Sequence, residues 1–160
     1  MRLQIPQAVP IISLLKPAAD SAGRTSGNYV SLKNAIKAWL VYYINQANAA
    51  TILLSPLQAT ALGGTGSKAI STAARIWLCN NADSSAVFVR QTDATTFTTD
   101  ANTYVKIVSF EIDFDAQLDV AGGFNYIGCS TGSSNANNIT SAYLVLQQKF
   151  EVDTNVEFLV

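Results

Sequence analysis

Tyr104-Val-Lys-Ile-Val-Ser-Phe-Glu-Ile-Asp-Phe-Asp115 decides the fold class. Val108, Phe110, Ile112 and Phe114 fall on one side of an extended chain, and Ser109, Glu111, Asp113 and Asp115 on the other. A period of two marks a strand with one face in a core and one in water. Outward from it, the chain is a series of short apolar runs separated by clusters of Gly, Asn, Ser and Pro. Residues 38–44 are β-branched and aromatic and apolar on both faces. Residues 51–54 follow and stop at Pro56. Residues 75–79 alternate, with Ile76 and Leu78 opposite Trp77. Residues 86–90, 124–129 and 142–152 complete about eight short strands. Only residues 31–38 and 57–62 leave room for a turn or two of helix. A parallel sheet needs crossover helices, and none is legible. The pattern predicts an all-β chain, a jelly-roll-like antiparallel β-sandwich over residues 30–160.

Residues 1–29 read differently. They hold Pro6, Pro10 and Pro17, then Gly23 and Gly27 among Ser and Thr. Proline removes ladder donors, so this stretch predicts an extended N-terminal arm rather than a helix or central strand. Val9, Ile11, Ile12, Leu14 and Leu15 make the arm apolar, so it must lie on its own domain or on a neighbouring subunit. These five are candidate partner contacts.

The chain has 160 residues, enough for one domain that buries roughly 70% of its unfolded surface. Hydrophobic residues make up 49% and charged residues only 13%; 48 residues are Ser, Thr, Asn or Gln. That balance argues against disorder, which needs low hydrophobicity and high charge. There is no histidine. A Ser-His-Asp triad, a Cys-His dyad and the usual His-bearing zinc sites are therefore excluded. Acid–base chemistry would rest on retuned carboxylates, Lys or Tyr. Cys79 and Cys129 are fifty positions apart, which is no metal-ligand spacing, and they read as two buried free thiols. No basic n-region with an apolar h-region opens the chain, and no run of about 18 apolar residues exists. Synthesis in a reducing cytoplasm, with no membrane partner, is the expectation.

Several motifs invite a sharper reading. Gly63-Gly64-Thr65-Gly66-Ser67-Lys68 lacks the Gly before and the Ser or Thr after the lysine that a phosphate loop needs, so it reads as a surface loop. Asn138-Ile139-Thr140 matches a glycosylation sequon within an Asn-rich turn. Glu111, Asp113 and Asp115 put three carboxylates on one strand face, at about 6.6–7 Å intervals. They form a solvated polar face, an acidic strip for a partner, or a calcium or paired-carboxylate site. Stability is expected to be nearly flat between about pH 6 and 8, and crowding of these carboxylates is the one route that would break this. Trp39, Tyr42, Tyr43, Trp77, Phe88 and Phe97 make a sugar-stacking platform or, as large aromatics in strands more often do, core and interface. Residues 1–90 carry eight basic groups against two acids, and residues 91–160 two against nine. Unless folding interleaves the halves, that gives two oppositely charged faces. No clustered basic strip exists for nucleic acid.

The runs Tyr29-Val-Ser-Leu-Lys-Asn-Ala35 and Asn45-Gln-Ala-Asn-Ala-Ala50 flank the first strong strand. With Leu57-Gln-Ala-Thr-Ala-Leu-Gly-Gly-Thr-Gly-Ser-Lys-Ala69, Ile76-Trp77, Val89-Arg-Gln-Thr-Asp93 and Asn135-Ala-Asn-Asn-Ile-Thr-Ser-Ala-Tyr-Leu-Val-Leu146, the chain resembles capsid cement (decoration) proteins of tailed bacteriophages. The resemblance covers most of residues 8–150. It implies a jelly-roll-like sandwich without enzyme activity or cofactor. It also implies a homo-oligomer, most often a dimer, on the outside of an HK97-type shell of major capsid protein. The resemblance carries no active-site motif, so it assigns no residue a role. The alternative in another class is a receptor- or glycan-binding jelly-roll module of a phage tail or head fibre; an enzyme built on the acidic strip is the third.

Overall fold

Alternation and turn chemistry produce a strand-dominated chain in a computed structural model that describes residues 9–149. In chain order the strands are β1 (Ile11–Ala19), β2 (Arg24–Thr25), β3 (Val30–Ser31), β4 (Ala35–Gln46), β5 (Leu53–Ala59) and β6 (Lys68–Ala69). They continue with β7 (Arg75–Asn80), β8 (Val89–Arg90), β9 (Phe97–Thr98), β10 (Val105–Ile112), β11 (Tyr126–Thr131) and β12 (Asn138–Gln148). One short helix, α1 (Phe114–Gln117), follows β10. The strands form two antiparallel sheets. One has the order β1-β12-β4-β10-β7-β8; the other has β2-β11-β5-β6, with β3 on β11 and β9 on β5.

The two sheets close on one core, as a sandwich of alternating strands must. From the six-stranded sheet come Ala38, Leu40, Tyr42 and Ile44 of β4, Val108, Phe110 and Ile112 of β10, and Ala142, Leu144 and Leu146 of β12. Val30, Leu54, Ile127 and Cys129 face them from the other sheet. Tyr42 and Phe110 meet edge to face with ring centroids 5.9 Å apart. The Tyr42 hydroxyl crosses the sandwich and donates to the Ser130 carbonyl at 3.4 Å. The β10 alternation therefore reads out as the sequence predicts, with one addition: Lys106 shares the inward parity and is fully buried. Its Nζ donates to Gln46 Oε1 at 2.8 Å and to the Asn102 carbonyl, and pairs with Asp100 at 3.0 Å.

Three expectations meet the structure here. First, residues 11–19 of the extended arm lie on their own domain, one of the two seats the sequence leaves open. Residues 11–19 are an edge strand of the six-stranded sheet, paired with β12. Register shifts between Ser13 and Leu15 and between Leu15 and Ala18 interrupt this ladder. An edge strand with such irregularities tolerates Pro17, because only one of its sides needs donors. Second, residues 31–38 and 57–62 contain no helix. Ala35–Ala38 already belong to β4, whose long apolar ladder overrides weak local helix propensity. Third, β5 runs through Pro56 instead of stopping at it. The far side of β5 is open there, since β9 pairs only Leu53 and Leu54 and β6 only Leu57 and Gln58.

A buried ionic cluster ties the sheets together at one end. Asp20, just after β1, is fully buried. Its Oδ1 accepts from Arg24 Nε at 3.3 Å, Arg24 Nη2 at 2.9 Å and the Thr131 hydroxyl at 3.3 Å; its Oδ2 accepts from the Thr140 hydroxyl. Arg24 also donates to the carbonyls of Lys16 at 2.9 Å and Thr140 at 2.6 Å. Thr140 and Lys16 belong to the six-stranded sheet, Arg24 and Thr131 to the other.

Candidate functional site

Because β4 is apolar on both faces, the six-stranded sheet carries apolar groups outward as well as inward. Strand register shows which ones meet. Val145 of β12, Trp39 of β4, Glu111 of β10 and Arg75 of β7 stand in one outward row. Tyr143, Val41, Ser109 and Trp77 stand in the next, with Arg90 of β8 beyond Trp77. Between them opens a groove of about 390 Å³, lined by Trp39, Val41, Trp77, Phe88, Ile107, Ser109, Glu111 and Val145. That volume falls at the small end of ligand-sized clefts.

Glu111 is the anchored charge of this groove. Trp77 Nε1 donates to its Oε1 at 2.7 Å, and Lys37 Nζ pairs with Oε2 at 2.8 Å. Arg75 Nη1 stands 3.9 Å from the same oxygen. Burial pulls the Glu111 pKa upward, but the Lys37 and Trp77 hydrogen bonds and the two nearby cations outweigh it. The carboxyl is held below its ordinary value. Carboxylate crowding does not set this site, because the neighbours supplied by β4 and β7 are cations. An ionised, paired carboxylate does not donate a proton near neutrality; it orients its neighbours. The Arg90 guanidinium sits 5.6 Å from the Trp77 ring and pairs with Asp93.

The three carboxylates do not share one face. β10 ends at Ile112, and Asp113 occupies the N-cap position of α1, its backbone N–H donating to Gln117 Oε1 at 2.7 Å. Asp115 lies in the first turn of α1 and is exposed. The period of two breaks where the chain turns into the helix, so the acidic strip reduces to Glu111, with Asp113 3.9 Å from Lys37. Among the described residues, no three potential metal ligands come together.

The arm residues divide. Leu14 and Leu15 belong to the core and are closed to a partner. Ile12 packs against that core, Val9 is half-buried, and Ile11 is 58% exposed on the outer face beside Val145. Of the six aromatics, Trp39, Trp77 and Phe88 line the groove, Tyr42 is core, Phe97 packs against the core, and Tyr43 is exposed on the same outer face. Val41 belongs to the doubly apolar run around Trp39, whereas Ile107 and Val145 join it only through strand register.

The remaining motifs are structural. Asn138 is fully buried and donates to the Ala50 carbonyl at 2.9 Å while accepting from the Asn48 N–H at 2.7 Å, so the sequon is not an exposed acceptor. Lys68 of the glycine loop pairs with Asp119 at 2.8 Å and lies over the Phe124 ring. Gly64 has a φ of +78° and packs on Tyr29, where a side chain would meet the ring. Cys79 and Cys129 are buried free thiols, one in each sheet. Burial pushes the Cys129 thiol up to about 12.

No protein-family model matches the sequence, and no curated protein matches it. Among solved structures, the chain is similar to the SPBc2 prophage-derived protein YomS, at 10% identity and a TM-score of 0.47, over 91% of this chain and 98% of that one.

Proposed function

We propose that this protein is a capsid cement (decoration) protein of a tailed bacteriophage, not an enzyme, which binds as a homo-oligomer to the outside of the major capsid shell. The observation that supports it is the outer face of the six-stranded sheet. A sheet face turned to water is ordinarily polar. Here it carries Ile11, Tyr43 and Ile139 exposed, with Val87, Phe88 and Val89 exposed along the β8 edge. Exposed apolar groups spread over one sheet face and its edge suit an interaction surface. The sparse charges around it are mostly paired with one another, which keeps desolvation cheap over a repeated contact. The sequence resemblance supplies the kind of partner. A ligand that binds the closed shell and not its dissociated subunits stabilises the shell by mass action, so a few kcal/mol per copy suffices over many copies.

The test is to add the labelled protein to purified tailed-phage shells that lack it, count bound copies, and heat the particles. On the order of hundreds of copies over the head, with DNA retained to higher temperature, is the expected result. A few copies confined to the tail tip would replace this reading with the receptor- or glycan-binding one.

A further inference from the structure

We propose that the groove between Trp39, Trp77 and Phe88 is a saccharide-binding site, suited to a sugar chain that carries carboxylates, as uronic acids do. This goes beyond the shell-binding reading and does not rest on it. The floor of the groove is apolar, made by Val41, Ile107 and Val145. Both indole rings on its walls are half-buried, so each keeps ring surface for a ligand. A pyranose suits such a wall because one of its faces is made of C–H groups and its edge of hydroxyls. An aromatic ring is apolar and has a negative face, which C–H groups meet favourably. Strand register sets the spacing. Trp39 and Trp77 stand two inter-strand steps and one row apart, which puts their Cα atoms about 12 Å from each other. The groove of about 390 Å³ between them has room for two linked rings.

Polar groups converge where a sugar presents its hydroxyls. Trp77 Nε1 donates to Glu111 Oε1 at 2.7 Å, which orients the indole before any ligand arrives. An ionised carboxylate has about four acceptor sites, and Trp77 and Lys37 take one each. The others are left for hydroxyl donors, and Ser109 adds a hydroxyl to the lining. The Arg90 guanidinium lies over one face of Trp77 at 5.6 Å, so stacking falls to the other face. Charge selects the class of sugar. Lys37 is held by Glu111 and Arg90 by Asp93, but Arg75 is 61% exposed and only stands 3.9 Å from a carboxylate that Lys37 already holds. A carboxylate on the sugar gives Arg75 a planar, charge-assisted partner. A hydrocarbon occupant would leave that cation and the spare Glu111 acceptors without one. Val87 and Val89 lie outside the groove lining, so shell binding and saccharide binding are tested at separate residues.

The chain has two tryptophans, Trp39 and Trp77, so intrinsic tryptophan fluorescence reads this groove alone. The test titrates the free full-length protein with fragments of bacterial surface polysaccharides, uronate-bearing and neutral, at matched length. Uronate-bearing fragments should shift the emission to shorter wavelength and protect it from acrylamide. Trp39→Ala should weaken their binding at least about tenfold, with Trp77 as the remaining reporter. Arg75→Gln, at an exposed site, should weaken uronate-bearing fragments about two- to fivefold and leave neutral ones unchanged. Added salt should narrow the difference between the two kinds of fragment. Urea unfolding of each variant separates a lost contact from a lost fold. Emission that responds to no fragment overturns the proposal. So does a preference for neutral fragments, or binding that Trp39→Ala leaves unchanged in a folded protein.

Discussion

Asp20→Asn is the substitution that tests how the two sheets are coupled. It keeps the shape of the side chain and removes the charge. Asp20 is fully buried, whereas the Arg24 side chain is 20% exposed. Breaking a buried pair by removing one partner costs about 3–5 kcal/mol, mostly because the other charge is left uncompensated. Arg24 keeps two carbonyl partners, Lys16 at 2.9 Å and Thr140 at 2.6 Å, and some water. That places the loss at the low end, about 3 kcal/mol. The introduced amide would also put a donor against one of the two threonine hydroxyls that now point at the carboxylate, and a hydroxyl can rotate to accept. Arg24→Met should cost more, because it strands the fully buried partner. For a domain of this size about 3 kcal/mol lowers Tm by roughly 6–12 °C. Urea unfolding of both single variants and the double variant gives the coupling energy directly. A loss below about 1 kcal/mol, the range of a surface ion pair, would refute the idea that this cluster locks the sheets together.

Other outcomes follow from the core and the titrating groups. Leu15→Ala should destabilise by about 2–4 kcal/mol in urea unfolding, because β1 is part of the sheet and not a detachable arm. Stability should be flat from about pH 6 to 8, since no histidine titrates there. Glu111 and Asp100 are held below their ordinary values near 4.5 and 3.8. For Asp100, burial raises the pKa, but Lys106, Asn102 and Asn80 outweigh it. Carboxylates depressed in the fold stabilise it above their unfolded pKa, so stability should fall as pH drops below about 4.5. Cys129 is raised from 9.0 to about 12, so the unfolded thiol ionises first and stability should decline between those values. Chemical denaturation across pH reads both limbs, and Cys129→Ala should shift the alkaline one upward. Native protein at pH 8 should resist alkylation at both thiols and take up two equivalents after unfolding.

What the sequence makes legible is what depends on neighbours along the chain. The β10 alternation is a local property, and Val108, Phe110 and Ile112 are all buried. The doubly apolar run around Trp39 announces a central strand with something on both faces. It does not say that Trp77 and Phe88, some forty to fifty residues away, complete a groove with it. Glu111 is readable as a carboxylate on a polar face, but its cations arrive through strand register: Lys37 from β4 and Arg75 from β7. The sign of its pKa shift was therefore inaccessible. Asp20 has one partner close in sequence, Arg24, but its burial is not legible, since Thr131 and Thr140 lie 111 and 120 positions away. One proline misled: Pro56 reads as a stop, yet β5 passes through it where one side of the ladder is open, whereas Pro17 rightly kept β1 out of the sheet centre.

The two edges of the six-stranded sheet differ in what they expose. Exposed edge strands invite pairing, and folds suppress it with lysine, proline and bulges. The β1 edge has all three: Lys16, Pro17 and two register shifts. The β8 edge has no lysine or proline and is guarded only by its length of two residues and by Arg90. Val87, Phe88 and Val89 are 67%, 44% and 57% exposed beside a strand with two paired residues. Under the proposed shell-binding role, the exposed apolar residues beside β8 are the contact to test. Val87→Lys with Val89→Lys should therefore weaken shell binding at least tenfold, about 1.4 kcal/mol or more. Because both side chains lie on the surface, the cost to stability should stay within about 0.5 kcal/mol each. Binding to purified shells by sedimentation and unfolding in urea separate the two effects. Shell binding that survives both lysines would move the contact away from β8.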